Sequence, residues 1–234
     1  MPDRLRQFPD AQEMFSTLAG EIVVRLNTAV VSRGQASLVV SGGTTPEALF
    51  AELSERDAPW DRVWITLCDE RWIPPAEDGS NEKMVRAKLL RGKAAAAHFV
   101  SLKTEDAKPE TAQTAVEARI SAMPKPFDVL LVGMGDDGHI ASLYPDSPEL
   151  KTILDTKPAA LVHAAHAQSA AATGDRMTLT LRAILDSKWI VILIKGDGKM
   201  KTYKLAKSGS DVSKMPVRAL LSQSAVPLET FWSP

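Results

Sequence analysis

Short apolar runs alternate with amphipathic stretches along the chain. The apolar runs are rich in β-branched residues and predict strands, some of them buried on both faces as in a parallel sheet. They cover residues 36–40, 63–68, 127–132, 159–167 and 189–194. Apolar positions at intervals of three and four residues predict a first helix over residues 10–31, which Gly34 ends.

The remaining stretches predict further helices between the strands. They cover residues 46–53, 81–90, 109–120 and 181–185, a helix that reaches about residue 207, and one within residues 217–234. Strands that alternate with helices indicate an α/β fold with a mostly parallel, doubly wound sheet flanked by helices. We expect a single domain over residues 1–234, with a small subsidiary lobe around residues 145–172.

Composition narrows the class of protein. The chain has 234 residues, of which 44% are hydrophobic and 24% charged, as in an ordinary globular domain. A net charge of −1 offers no field for nucleic acid or an anionic membrane. One cysteine, Cys68, rules out an internal disulfide framework. The N-terminus lacks the apolar core of a signal peptide, and we find no run of about 20 apolar residues. We therefore expect a cytoplasmic protein.

The loop after the strand at 127–132 carries the strongest chemical signal. It contains Gly133, Gly135 and Gly138 together with Asp136, Asp137 and His139. Glycines allow a tight turn and close approach of a ligand, and active sites of open α/β sheets lie where strands end. The spacing of the glycines also matches a dinucleotide fingerprint. However, Pro145 and Pro148 limit any following helix to about two turns, so we predict no nucleotide cofactor.

The strand at 36–40 leads into a second glycine-rich turn, Ser41, Gly42, Gly43, Thr44 and Thr45. Thr45 suits an N-cap and Pro46 the first helical position. Such a turn presents backbone N–H groups at the positive end of a helix, which is an anion site. Plain capping explains the same residues, but the paired glycines favour phosphate binding.

Charged residues follow other predicted strands. Asp69, Glu70 and Arg71 come directly after the strand at 63–68, and the guanidinium of Arg71 suits an oxyanion. Glu70 is equally consistent with a solvated strand end. Arg176 and Lys199 add two more cations near strand ends. His163 and His166 lack the spacing of a metal pair, and no G-x-S-x-G nucleophile motif occurs. We therefore predict no metal, and activated water as the nucleophile.

Several of these segments together carry a family resemblance. They are VVSGGTTPEALF, LCDERWIPPAEDGSN, GMGDDGHIASLYP, DRMTLT and LIKGDGK, in this order over most of the chain. In these five segments the chain resembles the 6-phosphogluconolactonases, which are hydrolases of the pentose phosphate pathway. The resemblance implies a modified Rossmann-like sheet and hydrolysis of 6-phospho-D-glucono-1,5-lactone to 6-phospho-D-gluconate. The expected partner is therefore a small phosphorylated sugar lactone, bound by a monomer or weak homodimer.

The resemblance also implies roles for individual residues. His139 would be the general base, Arg71 would stabilise the oxyanion, and Asp137 or Asp69 would orient His139 or a substrate hydroxyl. The 6-phosphate would be held by Gly42, Gly43 and Thr44 with Arg176 and Lys199.

Two other functions remain open. Glucosamine-6-phosphate deaminases share the Asp-Gly-His loop but carry a glutamate five residues after the histidine, where this chain has Tyr144. A sugar-phosphate sensor would need a DNA-binding module, for which the chain shows neither spare length nor a basic patch. The deaminases also usually show a different residue where Arg71 stands, and this departure and the one at Tyr144 favour the lactonase.

Overall fold

The computed structural model describes residues 3–169 and 172–234. Its strands are β1 (Arg4–Gln7), β2 (Ala36–Val40), β3 (Val63–Leu67), β4 (Asp69–Arg71), β5 (His98–Val100), β6 (Val129–Val132), β7 (Val162–Ser169), β8 (Ala172–Leu179), β9 (Ile190–Lys195) and β10 (Leu228–Ser233). Its α-helices are α1 (Ala11–Arg33), α2 (Glu47–Glu55), α3 (Asn81–Lys88), α4 (Pro109–Ser121), α5 (Leu150–Leu154), α6 (Leu181–Leu185), α7 (Asp197–Lys207) and α8 (Arg218–Leu221). Short 3-10 helices cover Trp60–Arg62 and Gly92–Ala96.

A seven-stranded sheet in the order β1-β10-β9-β6-β2-β3-β5 forms the centre, and its strand pairs are parallel. The chain winds outward from β2 through β3 to β5, and from β6 through β9 to β10 on the other side. The winding therefore reverses between β2 and β6, which are neighbours. This topological switch point is where open α/β sheets bind their ligands.

The central strands are buried because helices cover the sheet. Every residue of β2 and β6 is buried, as are five of the six residues of β9. Helix α1 begins after Asp10, whose side chain accepts a hydrogen bond from the N–H of Glu13 at 2.8 Å. It ends at Gly34, where φ is 79°. The helix packs on β2, β6, β10 and α2.

The length and apolar composition of α1 would also suit a membrane span, contrary to our expectation that no run of this kind exists. Its buried positions recur at helical intervals and join the core of the sheet: Met14, Phe15, Leu18, Ala19, Ile22, Leu26 and Ala29. This arrangement is that of an amphipathic core helix.

A buried carboxylate fixes the start of the central strand. Asp128 accepts a hydrogen bond from the backbone N–H of Ser37 at 2.9 Å and pairs with Lys188 at 3.0 Å. It also pairs with Arg33 at the end of α1. Because both cations lie at its oxygens, the buried charge of Asp128 is compensated. The cluster joins α1, β2, β6 and the entry to β9.

A second, antiparallel sheet, β4-β8-β7, forms the subsidiary lobe beside the main sheet. The predicted span of 145–172 contained β7 but missed the strands β4 and β8. The small residues at positions 170–175 predict a loop from the sequence. This prediction was wrong from Ala172 onward, because β8 begins there, and residues 170 and 171 lie outside the described residues.

Some boundaries also differ from the predictions. Thr45 does not cap α2: the helix begins at Glu47, and Pro46 takes the cap position without a side-chain hydrogen bond. The segment after His139 forms turns and an isolated bridge between Ile140 and Leu143, and a helix begins only at Leu150. The strands β1, β5 and β10 were not predicted. Cys68 is a fully buried core residue, and burial raises its pKa well above the ordinary value.

Candidate active site

A cavity of about 390 Å³ opens at the switch point, at the carboxyl ends of β2 and β6. Apart from Asp137, the predicted site residues all line it: Ser41, Gly42, Gly43, Thr44, Asp69, Arg71, His139, Arg176 and Lys199. The structure therefore brings together residues that lie up to 158 positions apart in the chain (199 − 41). Parallel strands cause this, because their carboxyl ends share one edge of the sheet.

Asp137 lies behind His139 and holds its ring. The Oδ1 of Asp137 is 2.6 Å from Nδ1 of His139 and accepts the backbone N–H of the same residue at 3.0 Å. Burial works to raise the pKa of Asp137, but the hydrogen bonds from His139 outweigh it and the pKa is lowered. An ionised carboxylate at Nδ1 leaves Nε2 as the ring nitrogen available to the cavity.

The loop geometry explains the glycines around this pair. A Cβ at Gly135 would lie 2.1 Å from Nδ1 of His139, so any side chain there would displace the imidazole. Gly138 has a φ of 80°, and a Cβ on it would meet Met215 at 2.8 Å. The backbone closes the turn through a hydrogen bond from the N–H of Gly135 to the carbonyl of His139 at 2.8 Å. The loop is thus built for one orientation of His139.

Asp69 serves a different part of the site from Asp137. Its Oδ2 accepts a hydrogen bond from the hydroxyl of Ser142 at 2.5 Å and lies 4.0 Å from Nη1 of Arg176. Its backbone carbonyl accepts the side-chain amide of Asn81 at 2.8 Å. Of the two carboxylates that could orient His139, it is therefore Asp137 that contacts the ring.

Two arginines face the cavity from the second sheet. Arg71 of β4 is paired directly with Arg176 of β8 across the antiparallel strands. Arg176 is buried, and its Nε has no hydrogen-bond partner among the described residues. Arg71 donates to the carbonyl of Gly79. Two guanidinium groups side by side repel each other unless an anion lies between them, so this edge of the cavity is suited to a negative group.

Glu70 is neither a solvated strand end nor a residue of the cavity wall. It is fully buried and accepts hydrogen bonds from the backbone N–H groups of Arg71 (2.7 Å), Asn81 (2.8 Å) and Glu82 (2.7 Å). The hydroxyl of Ser80 donates to it at 3.0 Å. Burial raises the pKa of Glu70, and these hydrogen bonds partly offset the rise. Glu70 thereby fastens the first turn of α3 to β4 beside Arg71.

The Ser41–Thr45 turn contacts the same helix. A Cβ on Gly42 would lie 1.9 Å from Oδ1 of Asn81, so only glycine fits there. Gly43 has a φ of 91°, which also favours glycine. The turn runs into α2, whose first N–H groups are without intrahelical partners. Asn81 was missed by the sequence interpretation, although its place after Gly79-Ser80 at a helix start was a usable signal.

Lys199 closes the remaining side of the cavity. It lies in the first turn of α7, after β9 and Gly196, and its Nζ is 2.8 Å from Oδ1 of Asp136. The Asp136 side chain is 84% exposed, so this ion pair is easily exchanged for another anion. Tyr144, a second missed residue, lines the cavity beside His139.

His163 and His166 lie on β7, outside the cavity lining. Within residues 3–169 and 172–234, no group of three or more histidine, cysteine, aspartate or glutamate side chains is arranged to hold a metal ion.

Comparison with known proteins finds several similar chains that are named 6-phosphogluconolactonases. It is 37% identical to a 6-phosphogluconolactonase of Rhizobium meliloti over 100% of both chains. It is 40% identical to one of Mesorhizobium japonicum, covering 97% of this chain and 94% of the relative. The crystal structure of a 6-phosphogluconolactonase from Shewanella baltica superposes with a TM-score of 0.95 at 40% identity, over 99% of this chain and 98% of the other.

A more distant structure, a monomeric glucosamine-6-phosphate deaminase, has a TM-score of 0.78 at 16% identity and so shares the fold alone. The family model described as glucosamine-6-phosphate isomerases/6-phosphogluconolactonase matches residues 9–232. The chain belongs to this glucosamine-6-phosphate isomerase/6-phosphogluconolactonase family.

Proposed function

We propose that this protein hydrolyses 6-phospho-D-glucono-1,5-lactone to 6-phospho-D-gluconate. The observation that carries the proposal is the Asp137–His139 pair in a cavity whose other walls bear Arg71, Arg176 and Lys199. A base and several cations that line one cavity suit a neutral ester that carries a phosphate. The names of the most similar relatives support the same substrate.

In the proposed mechanism, Nε2 of His139 takes a proton from a water molecule whose oxygen attacks C1 of the lactone. Asp137 holds the ring through Nδ1 and stabilises the imidazolium that forms. The C1–ring oxygen bond then breaks, and the imidazolium returns its proton to the departing oxygen. The product acid ionises in water.

Arg71 is proposed to stabilise the negative charge that develops on the carbonyl oxygen. Its place beside the cavity, fixed by β4 and by Glu70, provides a preorganised donor. Such a donor contributes on the order of 3 kcal/mol to the transition state. Asp69, buried against Ser142 and Arg176, is proposed to accept a hydrogen bond from a sugar hydroxyl.

The phosphate is proposed to lie between the Ser41–Thr45 turn and two cations. Backbone N–H groups of Gly42, Gly43 and Thr44 would donate to it, and Arg176 and Lys199 would neutralise its charge. Two observations favour this assignment. The Nε donor of Arg176 has no hydrogen-bond acceptor among the described residues, and the partner of Lys199, Asp136, is exposed. We further propose that residues 1–234 act as a single domain, since one hydrophobic core runs from Met14 to Phe231.

The test is direct. Fresh lactone, generated by oxidation of glucose 6-phosphate, is supplied to the protein, and 6-phosphogluconate is measured by a coupled assay with spontaneous hydrolysis subtracted. The wild type is expected to accelerate hydrolysis, and His139→Ala to lower kcat by at least 100-fold. His163→Ala is the matched control, because His163 lies outside the cavity lining.

Full activity of His139→Ala would remove the base assignment. Ammonia release from glucosamine 6-phosphate, or tight binding of 6-phosphogluconate without turnover of the lactone, would contradict the function itself.

A further inference from the structure

Tyr144 lies beside His139 but has no role in the mechanism proposed above. It is 3% exposed, lines the cavity and lies five residues after His139. A tight turn brings it back: Ala141 has a φ of 48°, and the N–H of Leu143 donates to the carbonyl of Ile140 at 2.9 Å. A left-handed conformation at a residue other than glycine is strained, and here it returns the chain onto the imidazole.

The ring of Tyr144 packs against the ring of His139. Their centroids are 4.7 Å apart with an interplanar angle of 45°. Asp137 and the backbone at Gly135 take up the Nδ1 side of the same imidazole. Together these neighbours restrict rotation about the side-chain bonds of His139 and keep Nε2 on the cavity side.

The ring of Tyr144 also lies near the charged side chains of Arg176 and Asp69. The guanidinium carbon of Arg176 lies 5.8 Å from the ring centroid, within the range of a cation–π contact. Burial raises the pKa of the Tyr144 hydroxyl, and the carboxylate of Asp69 adds to the rise. The phenol is therefore neutral at physiological pH, and its aromatic face is what it offers to His139.

An aromatic face favours a charged imidazole over a neutral one. A cation within about 6 Å of a ring centroid is attracted by the negative face of the ring, and more strongly when it is partly desolvated. His139 becomes an imidazolium only after it has taken a proton from water, so this contact strengthens during the reaction.

We propose that Tyr144 is a positioning residue, whose ring holds the His139 imidazole with Nε2 towards the cavity and favours the imidazolium formed on proton transfer. The inference rests on the proposed function for its kinetic consequence, but the packing of the two rings stands without it.

The experiment compares Tyr144→Leu, which removes the aromatic face, with Tyr144→Phe, which keeps it. Tyr144→Leu is expected to lower kcat about tenfold with KM changed less than twofold, because substrate contacts remain. The acid limb of its kcat–pH profile should move down by about half a pH unit, since the imidazolium loses support. Tyr144→Phe should restore most of kcat and the wild-type pH profile. Tyr203→Phe, at the other tyrosine of the chain, is the control for loss of a buried hydroxyl.

A second measurement does not depend on turnover. The imidazole titration of His139 is followed by NMR in the wild type and both variants without substrate, after circular dichroism has shown that each is folded. A lower titration midpoint in Tyr144→Leu alone supports the inference even if no lactone is hydrolysed, in which case only the proposed function fails. An unchanged midpoint in a folded Tyr144→Leu overturns it. An equal loss of kcat in Tyr144→Phe also overturns it, because the hydroxyl and not the ring would then matter.

Discussion

Arg71 and Arg176 lie directly opposite each other on the antiparallel strands β4 and β8. Like charges in this register destabilise a strand pair, so a fold that keeps them gains when an anion is bound. Arg176 is also buried, where a guanidinium without a full set of partners is costly. The pair therefore makes this wall of the cavity favourable for negative groups, which neither residue shows in the sequence alone.

Ligand binding is expected to stabilise the protein through this pair. 6-Phosphogluconate at ten times its Kd should add about 1.4 kcal/mol and raise Tm by about 4 °C, measured by differential scanning fluorimetry. Arg176→Gln should abolish most of that rise at the same ligand concentration. Arg182→Gln, at an exposed position of α6, is the control. A full rise in Arg176→Gln would show that the phosphate binds elsewhere.

Asp137→Asn is expected to lower kcat by about 10- to 100-fold with little effect on KM. The amide still reaches Nδ1 of His139, but it no longer stabilises the imidazolium with a negative charge. The comparison is Asp146→Asn, in the same segment but bonded to the exposed Lys214. If Asp137→Asn had the same kcat as Asp146→Asn, the proposed role of Asp137 in supporting His139 would be contradicted.

Because the pKa of Asp137 is lowered, its ionised form is the one that pairs with His139 at neutral pH. The pairing with His139 is present above the ordinary carboxyl pKa of about 3.9 and is lost as pH falls through the lowered value. Asp137 therefore stays ionised between pH 5 and pH 7, and no step in the kcat–pH profile over that range should come from its protonation.

Glu70→Gln is expected to destabilise the fold and, with it, the position of Arg71. The amide group would place N–H donors against backbone N–H groups that now donate to a carboxylate. Unsatisfied buried donors cost about 1–3 kcal/mol each, so we expect the free energy of unfolding to fall by roughly 3 kcal/mol. Urea denaturation measures it, with the exposed Glu77→Gln as control. A loss below that of the control would contradict the role of Glu70 as the anchor of α3.

His166 is expected to make stability depend on pH outside the active site. Its Nδ1 is 2.9 Å from Glu149 and its Nε2 2.8 Å from Glu110, with Asp175 at 3.6 Å. The hydrogen bond with Glu149 and the three negative charges raise the pKa of His166. A raised histidine pKa stabilises the fold below the unfolded value of about 6.5, and the effect is lost as pH rises through the folded value.

The deficit of His166→Gln in unfolding free energy should thus be largest near pH 6 and smallest near pH 9. The side chain is 33% exposed, so the deficit should be on the order of 1 kcal/mol or less. His163→Gln, on the same strand, is the control. A deficit that does not change between pH 6 and pH 9 would contradict the ion-pair account.

The sequence predicted the central architecture because its signals are local. Buried runs such as residues 36–40 and the amphipathic α1 show their periodicity without help from the rest of the chain. The strands β1, β5 and β10 were missed for the same reason. They are short or polar in part, and they become strands only by pairing with neighbours that are distant in sequence. The strand β4 likewise exists through its pairing with β8.

The sequence by itself determined the candidate residues for the proposed chemistry, since the loop with Asp137 and His139 and the glycine turns are recognised from local spacing and from the family resemblance. Only the tertiary structure decided how they are arranged: that Asp137 and not Asp69 contacts the imidazole, that Glu70 anchors a helix, and that Tyr144 packs on His139. These outcomes depend on side-chain contacts across several elements. A one-dimensional pattern records that a residue is polar or apolar, but the direction of its side chain is fixed only when the sheet brings its neighbours into contact.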